Sequence, residues 1–478
     1  MTIAQDPPTT LRVGSLTGLH TFRPWQARDN VSSLLLSQVF ETLYALAATG
    51  DAPEASLAGG RLHRRDDLET PNEVIYEAAV RPGVTFSDGT PMTARHVTTA
   101  LSRVGSLSDL LRLEARDDLV RFHLEKANPS LALALTMIDT GVAMEKGDEI
   151  LGTGPYRIAP GSTAKAPRLV LNPGYPRRPA FEEVELRVYP PDEDGSPTAL
   201  LEALAAGEVD YTDALSKDEA VSVSGMRKSF QSGNSTAILF FNTERLQDPA
   251  LRRALSAAVN RRELTAVSHQ SVVAFEATSL LPPMSGFIGE RQIFDLERAQ
   301  QMLAALPSPP SRLELVAMTT RRPYLPDPAQ VAEVIARQIG ELGIEVEIVR
   351  TSNSDEYFQR QAQGDFDLML GGWVAETPDP ADFLEATLGS DRVPSADLTS
   401  IACFNLSRFQ SNAIDEAISR FRDNPREFNL ERVLKLVDQE APLVPLMYGS
   451  TVVLSSWRVS NVQVSRMGFP DFSHFQLA

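Results

Sequence analysis

The stretch Asp327-Pro-Ala-Gln-Val-Ala-Glu-Val-Ile-Ala-Arg-Gln-Ile-Gly-Glu-Leu-Gly-Ile-Glu-Val-Glu-Ile-Val349 predicts a helix that is followed directly by a strand. Asp327 and Pro328 suit the cap and the first position of a helix, and apolar residues then recur every three or four positions as far as Leu342. After Gly343 apolar and charged residues alternate, which is typical of a half-exposed strand. This helix–strand pair predicts a mixed α/β fold.

Short apolar strands alternate with amphipathic helices elsewhere in the chain. Leu11–Gly14 and Phe366–Leu370 are predicted as strands, and the second is predicted to end in a loop at Gly371–Trp373. Apolar residues share one face over Val31–Ala47, which predicts a helix, and Asp248-Pro249 provides the start of another. We therefore predict an α/β protein and regard the apolar helix faces as core surfaces.

Size and composition are those of a large globular protein. The chain has 478 residues, of which 42% are hydrophobic and 23% are charged, and this length suits about three domain-sized units. A net charge of −18 argues against binding to nucleic acid or to an anionic membrane surface. Cys403 is the single cysteine, so an intrachain disulfide is excluded. No stretch is apolar for the length that a membrane-spanning helix needs.

The first residues give no sign of an export signal. Met1-Thr-Ile-Ala-Gln-Asp-Pro-Pro-Thr-Thr10 contains neither a basic segment nor an apolar one. Two interpretations stay open: the exported protein has lost its signal, or the chain stays in the cytoplasm.

Residue patterns that are typical of enzymes are missing from the sequence. None of the six histidines lies at a metal-ligand spacing from another. The sequence also lacks a Gly-x-Ser-x-Gly elbow, a P-loop and a dinucleotide fingerprint. We therefore expect a protein that is not an enzyme and that needs neither a cofactor nor a metal.

Several motifs follow one another in a recognisable order. They are Val84-Thr-Phe-Ser-Asp-Gly-Thr-Pro-Met-Thr-Ala-Arg-His-Val97, Gly152-Thr-Gly-Pro-Tyr-Arg-Ile158, Leu204-Ala-Ala-Gly-Glu-Val-Asp210, Phe240-Phe-Asn-Thr243 with Asp248-Pro-Ala-Leu-Arg-Arg-Ala-Leu255, and Trp373-Val-Ala-Glu-Thr-Pro-Asp-Pro-Ala-Asp-Phe383. Together they resemble the peptide and dipeptide family of ABC-importer solute-binding proteins, family 5. The resemblance extends over about the whole chain.

The resemblance implies a two-lobed periplasmic-binding-protein-like fold with an extra inserted domain and with the ligand in the cleft between the lobes. The predicted division has three parts. Lobe one comprises residues 1–46, 147–236 and 448–478, the inserted domain comprises residues 47–146, and lobe two comprises residues 237–447.

The resemblance also implies a function. The chain is expected to be a monomeric receptor outside the cytoplasm that captures a short peptide or a related small molecule, closes by hinge bending near Ile238 and Pro445, and delivers its ligand to membrane permease subunits. Two alternatives stay open. One is a cytoplasmic sensor or an enzyme recruited from this fold, and the other is a receptor for nickel or haem.

The family pattern assigns two charged ligand contacts. Arg322, directly before Pro-Tyr, would bind the ligand's carboxylate through two parallel hydrogen bonds; the alternative is a surface turn. Glu376, three residues after Trp373, stands where the family has an aspartate that binds the ligand's ammonium group. Asp379 is a nearby alternative, although it suits the cap of the following helix.

The other predicted ligand contacts are aromatic residues, glycines and one histidine. Trp373 would lie against the ligand backbone, with Gly371 and Gly372 allowing close approach of the main chain; a purely structural tryptophan is the alternative. Tyr324 is a further candidate in lobe two. The remaining candidates, from the loop Leu16–Trp25 of lobe one, are His20 and Trp25.

Overall fold

The computed structural model describes most of the chain. The described residues are 9–27, 29–46, 53–105, 107, 110–192, 196–268, 275–287, 289, 294–318, 322, 324–351, 354–375, 377, 379–394, 404–424, 427–465 and 468–478.

Strands and helices alternate through most of the chain. The strands are β1 (Thr10–Ser15), β2 (Tyr44–Leu46), β3 (Pro53–Ala55), β4 (His63–Arg64), β5 (Val74–Ala79), β6 (Leu110–Arg116), β7 (Leu119–Leu124), β8 (Met144–Lys146), β9 (Glu149–Leu151), β10 (Tyr156–Ile158), β11 (Arg168–Leu171), β12 (Glu183–Val188), β13 (Tyr211–Thr212), β14 (Arg227–Phe241), β15 (Phe275–Glu276), β16 (Arg312–Met318), β17 (Glu345–Thr351), β18 (Leu368–Val374), β19 (Leu443–Ser455), β20 (Val459–Ser460) and β21 (Gln476–Leu477). The helices are α1 (Asn30–Leu36), α2 (Ala94–Leu101), α3 (Leu131–Ala134), α4 (Thr198–Ala205), α5 (Lys217–Ser222), α6 (Pro249–Ala257), α7 (Arg261–Ser268), α8 (Leu296–Ala304), α9 (Pro328–Gly340), α10 (Ser354–Gln363), α11 (Pro380–Leu388), α12 (Asn412–Asp423) and α13 (Glu427–Glu440). Within the described ranges, no helix has the length and apolar character needed to cross a membrane.

The chain divides into two compact units. Unit 1 consists of Met1–Gln231 and Val452–Ala478, and unit 2 consists of Ser232–Thr451. Both divisions fall inside strands, because β14 and β19 each continue from one unit into the other. The inserted domain at residues 47–146 and the exact lobe boundaries stay predictions.

The main sheet of unit 1 has the strand order β10-β11-β12-β1-β13, followed by the C-terminal part of β19. β1 is parallel to both of its neighbours, with Val13 opposite Leu186 on one side and opposite Tyr211 on the other. The strand predicted over Leu11–Gly14 is therefore confirmed, and its position between two partners explains why its apolar side chains are buried.

Unit 1 also contains an antiparallel sheet with the order β4-β5-β7-β6. Together with α2 this sheet builds a core of its own, in which Phe86, Val97 and Phe122 are fully buried. Most of this core comes from the segment that is predicted to form the inserted domain.

The helix predicted over Val31–Ala47 is wrong beyond Leu36, where α1 ends; Ala47 lies outside the described residues. The main chain beyond α1 binds a distant segment instead: the Gly154 N–H donates to the Val39 oxygen at 2.9 Å. A Cβ atom on Gly152 would collide with that same oxygen, so the two backbones can approach only because glycine stands there.

Unit 2 is organised around strands in the order β19-β14-β18-β16-β17, and β15 also pairs with β19. β16 is parallel to β17 and to β18, whereas β14 is antiparallel to β18. The predicted helix–strand pair at residues 327–349 is confirmed as α9 and β17, and the Asp327 side chain accepts a hydrogen bond from the Gln330 N–H at 3.0 Å. Leu239, Leu315 and Ile335 are fully buried in the core of this unit.

The loop predicted at Gly371–Trp373 is wrong, because β18 continues through both glycines and the tryptophan. The long strand β14 pairs with all three residues, with Ala237 opposite Gly372 and Thr236 opposite Trp373. Backbone pairing thus outweighs the weak strand preference of glycine.

Candidate ligand-binding site

The predicted ligand contacts of unit 2 lie at one edge of its sheet. The parallel strands β16, β17 and β18 end at Met318, Thr351 and Val374. Arg322 and Tyr324 follow the first of these ends, and Trp373 is part of the last. The carboxyl ends of parallel strands are where open α/β sheets bind their ligands, so this edge is the candidate site of unit 2.

Arg322 is held in a tight turn, and its guanidinium has no carboxylate partner in the described part of the chain. Its N–H donates to the Leu325 oxygen at 3.0 Å, and the Leu325 N–H donates to the Arg322 oxygen at 2.9 Å. The partly buried guanidinium reaches Met318 Sδ at 3.3 Å, which is a weak acceptor. Among the described residues, no carboxylate pairs with Arg322. Arg322 therefore lies in a turn, as the alternative interpretation predicted, and its guanidinium can still bind a ligand carboxylate.

Tyr324 packs directly against Gly372. A Cβ atom on Gly372 would collide with the Thr236 oxygen and would lie 2.6 Å from Tyr324 Cε2. Tyr324 is only 7% exposed, and burial raises the pKa of its phenol, against the opposing charge of Arg322. The ring of Tyr324 thus packs on β18, where Gly372 leaves room for it.

Gly371 makes room for a second tyrosine on the opposite face of β18. A Cβ atom on Gly371 would lie 2.8 Å from the hydroxyl oxygen of Tyr357. That hydroxyl donates to the Leu370 oxygen at 3.1 Å, and burial raises the pKa of Tyr357 far above its usual range. The charge of Arg322 opposes this rise of the pKa at Tyr357, as it does at Tyr324.

Trp373 pairs with an aromatic residue that the sequence did not reveal. Its ring lies 4.1 Å from the ring of Phe404, centroid to centroid, at an interplanar angle of 49°. Both side chains are partly exposed, so they offer an accessible aromatic surface and are not a closed core pair. Phe404 stands in no periodic pattern, and only the tertiary fold brings it to Trp373.

The two acidic residues predicted as ligand contacts, Glu376 and its alternative Asp379, follow β18 in the chain. Glu376 lies outside the described residues. Asp379 caps α11, since its side chain accepts a hydrogen bond from the Ala381 N–H at 2.9 Å. The cap predicted for Asp379 is confirmed, and Glu376 stays a prediction as the ammonium contact.

In unit 1 the two predicted contacts follow the end of β1. His20 is exposed, and its backbone N–H donates to Ser32 Oγ at 3.1 Å. Trp25 is partly buried, and the guanidinium carbon of Arg103 lies 4.5 Å above its ring centre. Arg103 also pairs with Glu145 at 2.9 Å. His20 is therefore accessible to a ligand, whereas one face of Trp25 is occupied by an arginine.

A protein-family model matches most of the chain. The model described as "Bacterial extracellular solute-binding proteins, family 5 Middle" covers residues 69–395. This range includes Arg322, Tyr324 and Trp373, whereas Phe404 lies beyond its end.

Similar proteins are found among both curated sequences and solved structures. The chain is 25% identical over 336 residues to the peptide transport periplasmic protein SapA of Salmonella typhimurium, with 68% of this chain and 59% of SapA aligned. It is 26% identical over 247 residues to heme-binding protein A of Haemophilus influenzae, with 51% of this chain and 44% of that protein aligned. Both alignments thus span less than two thirds of the relative.

The solved structure of HbpA2 from Haemophilus parasuis superimposes with a TM-score of 0.84 at 19% identity, covering 98% of this chain and 100% of that one. At this identity the likeness concerns the fold alone. It confirms the predicted fold class.

Proposed function

Because the chain belongs to the bacterial extracellular solute-binding proteins of family 5, we propose that it is the solute-binding receptor of an ABC importer. Its proposed ligand is a short peptide or a peptide-like small molecule. The name of SapA, a peptide transport protein, supports this choice of ligand class.

The observation that carries the proposal is the charge of Arg322. A partly buried guanidinium without a carboxylate partner among the described residues is costly, unless an anion from outside completes it. A peptide carboxylate fits, because guanidinium and carboxylate form two parallel hydrogen bonds. Removing one partner of such a buried pair costs about 2–5 kcal/mol of binding free energy.

The aromatic pair of Trp373 and Phe404 supports a peptide more than a compact anion. Trp373 and Phe404 offer an accessible aromatic surface at the same strand edge. A peptide's planar amides and apolar side chains can pack on such a surface. Glu376 remains our proposed contact for the ligand's ammonium group.

We further propose where and how the receptor works. It acts outside the cytoplasm, a location that the name of the periplasmic protein SapA supports. It works as a monomer and passes its ligand to the permease subunits of the importer. Capture uses hinge closure at β14 and β19, the two strands that continue from one unit into the other. A binding role without turnover suits the family's description.

Haem is the second candidate ligand. Heme-binding protein A is a relative over half of the chain, and His20 is exposed in the loop after β1, where its imidazole is available as an axial ligand. Haemin therefore belongs among the probes.

Native mass spectrometry of the purified chain, followed by calorimetric titration with di- to pentapeptides and with haemin, tests the proposal. Arg322→Ala should weaken peptide binding, whereas Arg312→Ala should not, because Arg312 lies exposed at the opposite end of β16 and pairs with Glu347. Equal peptide affinities in both variants would refute the role of Arg322. If the protein binds haemin and none of the peptides, haem takes the place of a peptide as the proposed ligand.

A further inference from the structure

Asp213 follows directly after β13, at the carboxyl end of the parallel strands of unit 1. Because Val13 pairs with Tyr211 in parallel register, Asp213 comes level with Ser15, where the loop carrying His20 begins. The carboxyl ends of parallel strands are again the expected place for a ligand. Asp213 was not predicted from the sequence as a site residue.

The Asp213 carboxylate has no hydrogen-bonding or ion-pair partner in another residue of the described part of the chain. Within the described ranges no other residue hydrogen-bonds to it or forms an ion pair with it. Burial raises its pKa to about 6, and the hydrogen bond from its own backbone N–H only partly opposes this. The residue nevertheless keeps part of its surface exposed. It is therefore an acid surrounded by protein that a small molecule can still reach.

The structural roles that an aspartate commonly has at this position are filled by other residues. Ser216 caps α5 and forms a reciprocal capping box with Glu219. The turn after β13 is made by Thr212, whose Oγ1 accepts a hydrogen bond from the Ala214 N–H at 3.2 Å. Asp213 is thus neither a helix cap nor the acceptor that closes this turn.

Tyr211, two residues earlier in the chain, does not supply the missing partner either. Its ring packs against Phe472 and Phe475 at centroid distances of 5.7 and 5.6 Å. Its buried hydroxyl has no hydrogen-bond partner among the described residues. Burial and then the charge of Asp213 both raise the Tyr211 pKa, so the two groups influence each other without satisfying each other.

An uncompensated carboxylate in such surroundings costs folding free energy, and residues of this kind concentrate at functional sites. We propose that Asp213 binds a protonated amine of the transported solute. The inference rests on the proposed receptor function and adds a specificity residue in unit 1. The amine is either the α-ammonium group of a peptide or the ammonium group of a basic side chain, because both present the same charged donors to a carboxylate.

Calorimetric titration of four probes separates the two sources of the amine. The probes are alanylalanine, N-acetyl-alanylalanine, N-acetyl-lysylalanine and putrescine. Asp213→Asn should raise the Kd of amine-bearing probes about 10- to 100-fold and leave N-acetyl-alanylalanine unchanged. A difference seen with alanylalanine identifies the α-ammonium group, and one seen with N-acetyl-lysylalanine identifies a basic side chain.

Asp218→Asn provides the matched control, because Asp218 is an exposed acid on α5 and the same charge is removed. Far-ultraviolet circular dichroism of both variants checks that they are folded. The inference is overturned if Asp213→Asn changes the Kd of none of the four probes, including the case in which none binds. If Arg322→Ala weakens peptide binding but Asp213→Asn does not, the receptor function stands and only the role of Asp213 is wrong.

Discussion

Asp210 and Asp213 lie three positions apart in the chain, yet their carboxylates have opposite electrostatic surroundings. Asp210 is fully buried and accepts hydrogen bonds from Arg12 Nε at 2.7 Å and Nη2 at 2.8 Å, and from Arg458 Nη1 at 2.9 Å. Asp213 has no such partner within the described ranges. One acid is thus expected to stabilise unit 1 at neutral pH, and the other to destabilise it.

Asp210→Asn should lower the free energy of unfolding by about 3 kcal/mol at pH 7, because it leaves two arginines without their common partner. Burial raises the Asp210 pKa, but Arg12 and Arg458 outweigh this and lower it below 3.8. A lowered folded-state pKa gives stability that is present above the unfolded value and is lost as the pH falls through the folded value. Urea unfolding at pH 7 and at pH 3 measures the difference between wild type and variant, which should shrink at the lower pH.

Asp213→Asn should act in the opposite direction. The folded-state pKa of about 6 lies above the ordinary 3.8, so the favourable contribution exists below pH 3.8 and is lost as the pH rises through about 6. The ligand-free variant should therefore be more stable than wild type by about 1–3 kcal/mol at pH 7.5. The two proteins should be equally stable near pH 3.5. Thermal unfolding at both pH values measures these differences in stability. A variant that is less stable than wild type at pH 7.5 would contradict the conclusion that the Asp213 carboxylate is buried without a partner in the described part of the chain.

Gly371→Ala should destabilise unit 2 by about 1–3 kcal/mol, because the new Cβ would lie 2.8 Å from the Tyr357 hydroxyl. Tyr357→Phe removes that oxygen, so the double variant should recover much of the loss. Gly372→Ala is the matched comparison: its Cβ would collide with a backbone oxygen of Thr236, which no side-chain change removes. A double-mutant cycle without coupling between positions 371 and 357 would contradict the packing described.

Arg252→Lys should cost about 2–4 kcal/mol of unfolding free energy. The Arg252 side chain is almost fully buried and donates to the carbonyl oxygens of Leu246, Gln247, Glu440 and Ala441. A lysine has no planar fork and cannot reach this set. Arg253→Lys is the control, since Arg253 is exposed and, among the described residues, donates a hydrogen bond to the Gln439 oxygen alone. Equal urea midpoints for both variants would contradict a stabilising role of the hydrogen bonds from Arg252.

The sequence allowed correct prediction of those elements whose stability comes from local pattern. Asp327 caps α9, and the change to alternation after Gly343 marks β17. The prediction failed where hydrogen bonds to a distant part of the backbone determine the local structure. Val39, which accepts a hydrogen bond from Gly154, is one such position. It failed for the same reason at Gly372, which pairs with β14.

Only those site residues that belong to a family motif could be predicted from the sequence. Arg322, Trp373 and Tyr324 follow recognisable neighbours, and the fold brings them to one strand edge. Phe404 could not be predicted, because its meeting with Trp373 depends on tertiary packing. Asp213 could not be predicted either, since the lack of a partner is a property of the folded surroundings and leaves no mark on the sequence.

The passage of the chain through β14 and again through β19 fixes an order of assembly during synthesis. Unit 2 is a single uninterrupted stretch and is complete as soon as Thr451 has left the ribosome. Unit 1, although it is translated first, lacks Val452–Ala478 until the end, and with it Arg458, one of the partners of the buried Asp210. The first part of unit 1 therefore stays without Val452–Ala478 while the whole of unit 2 is translated. This leaves a long interval in which a chaperone can hold the first unit open.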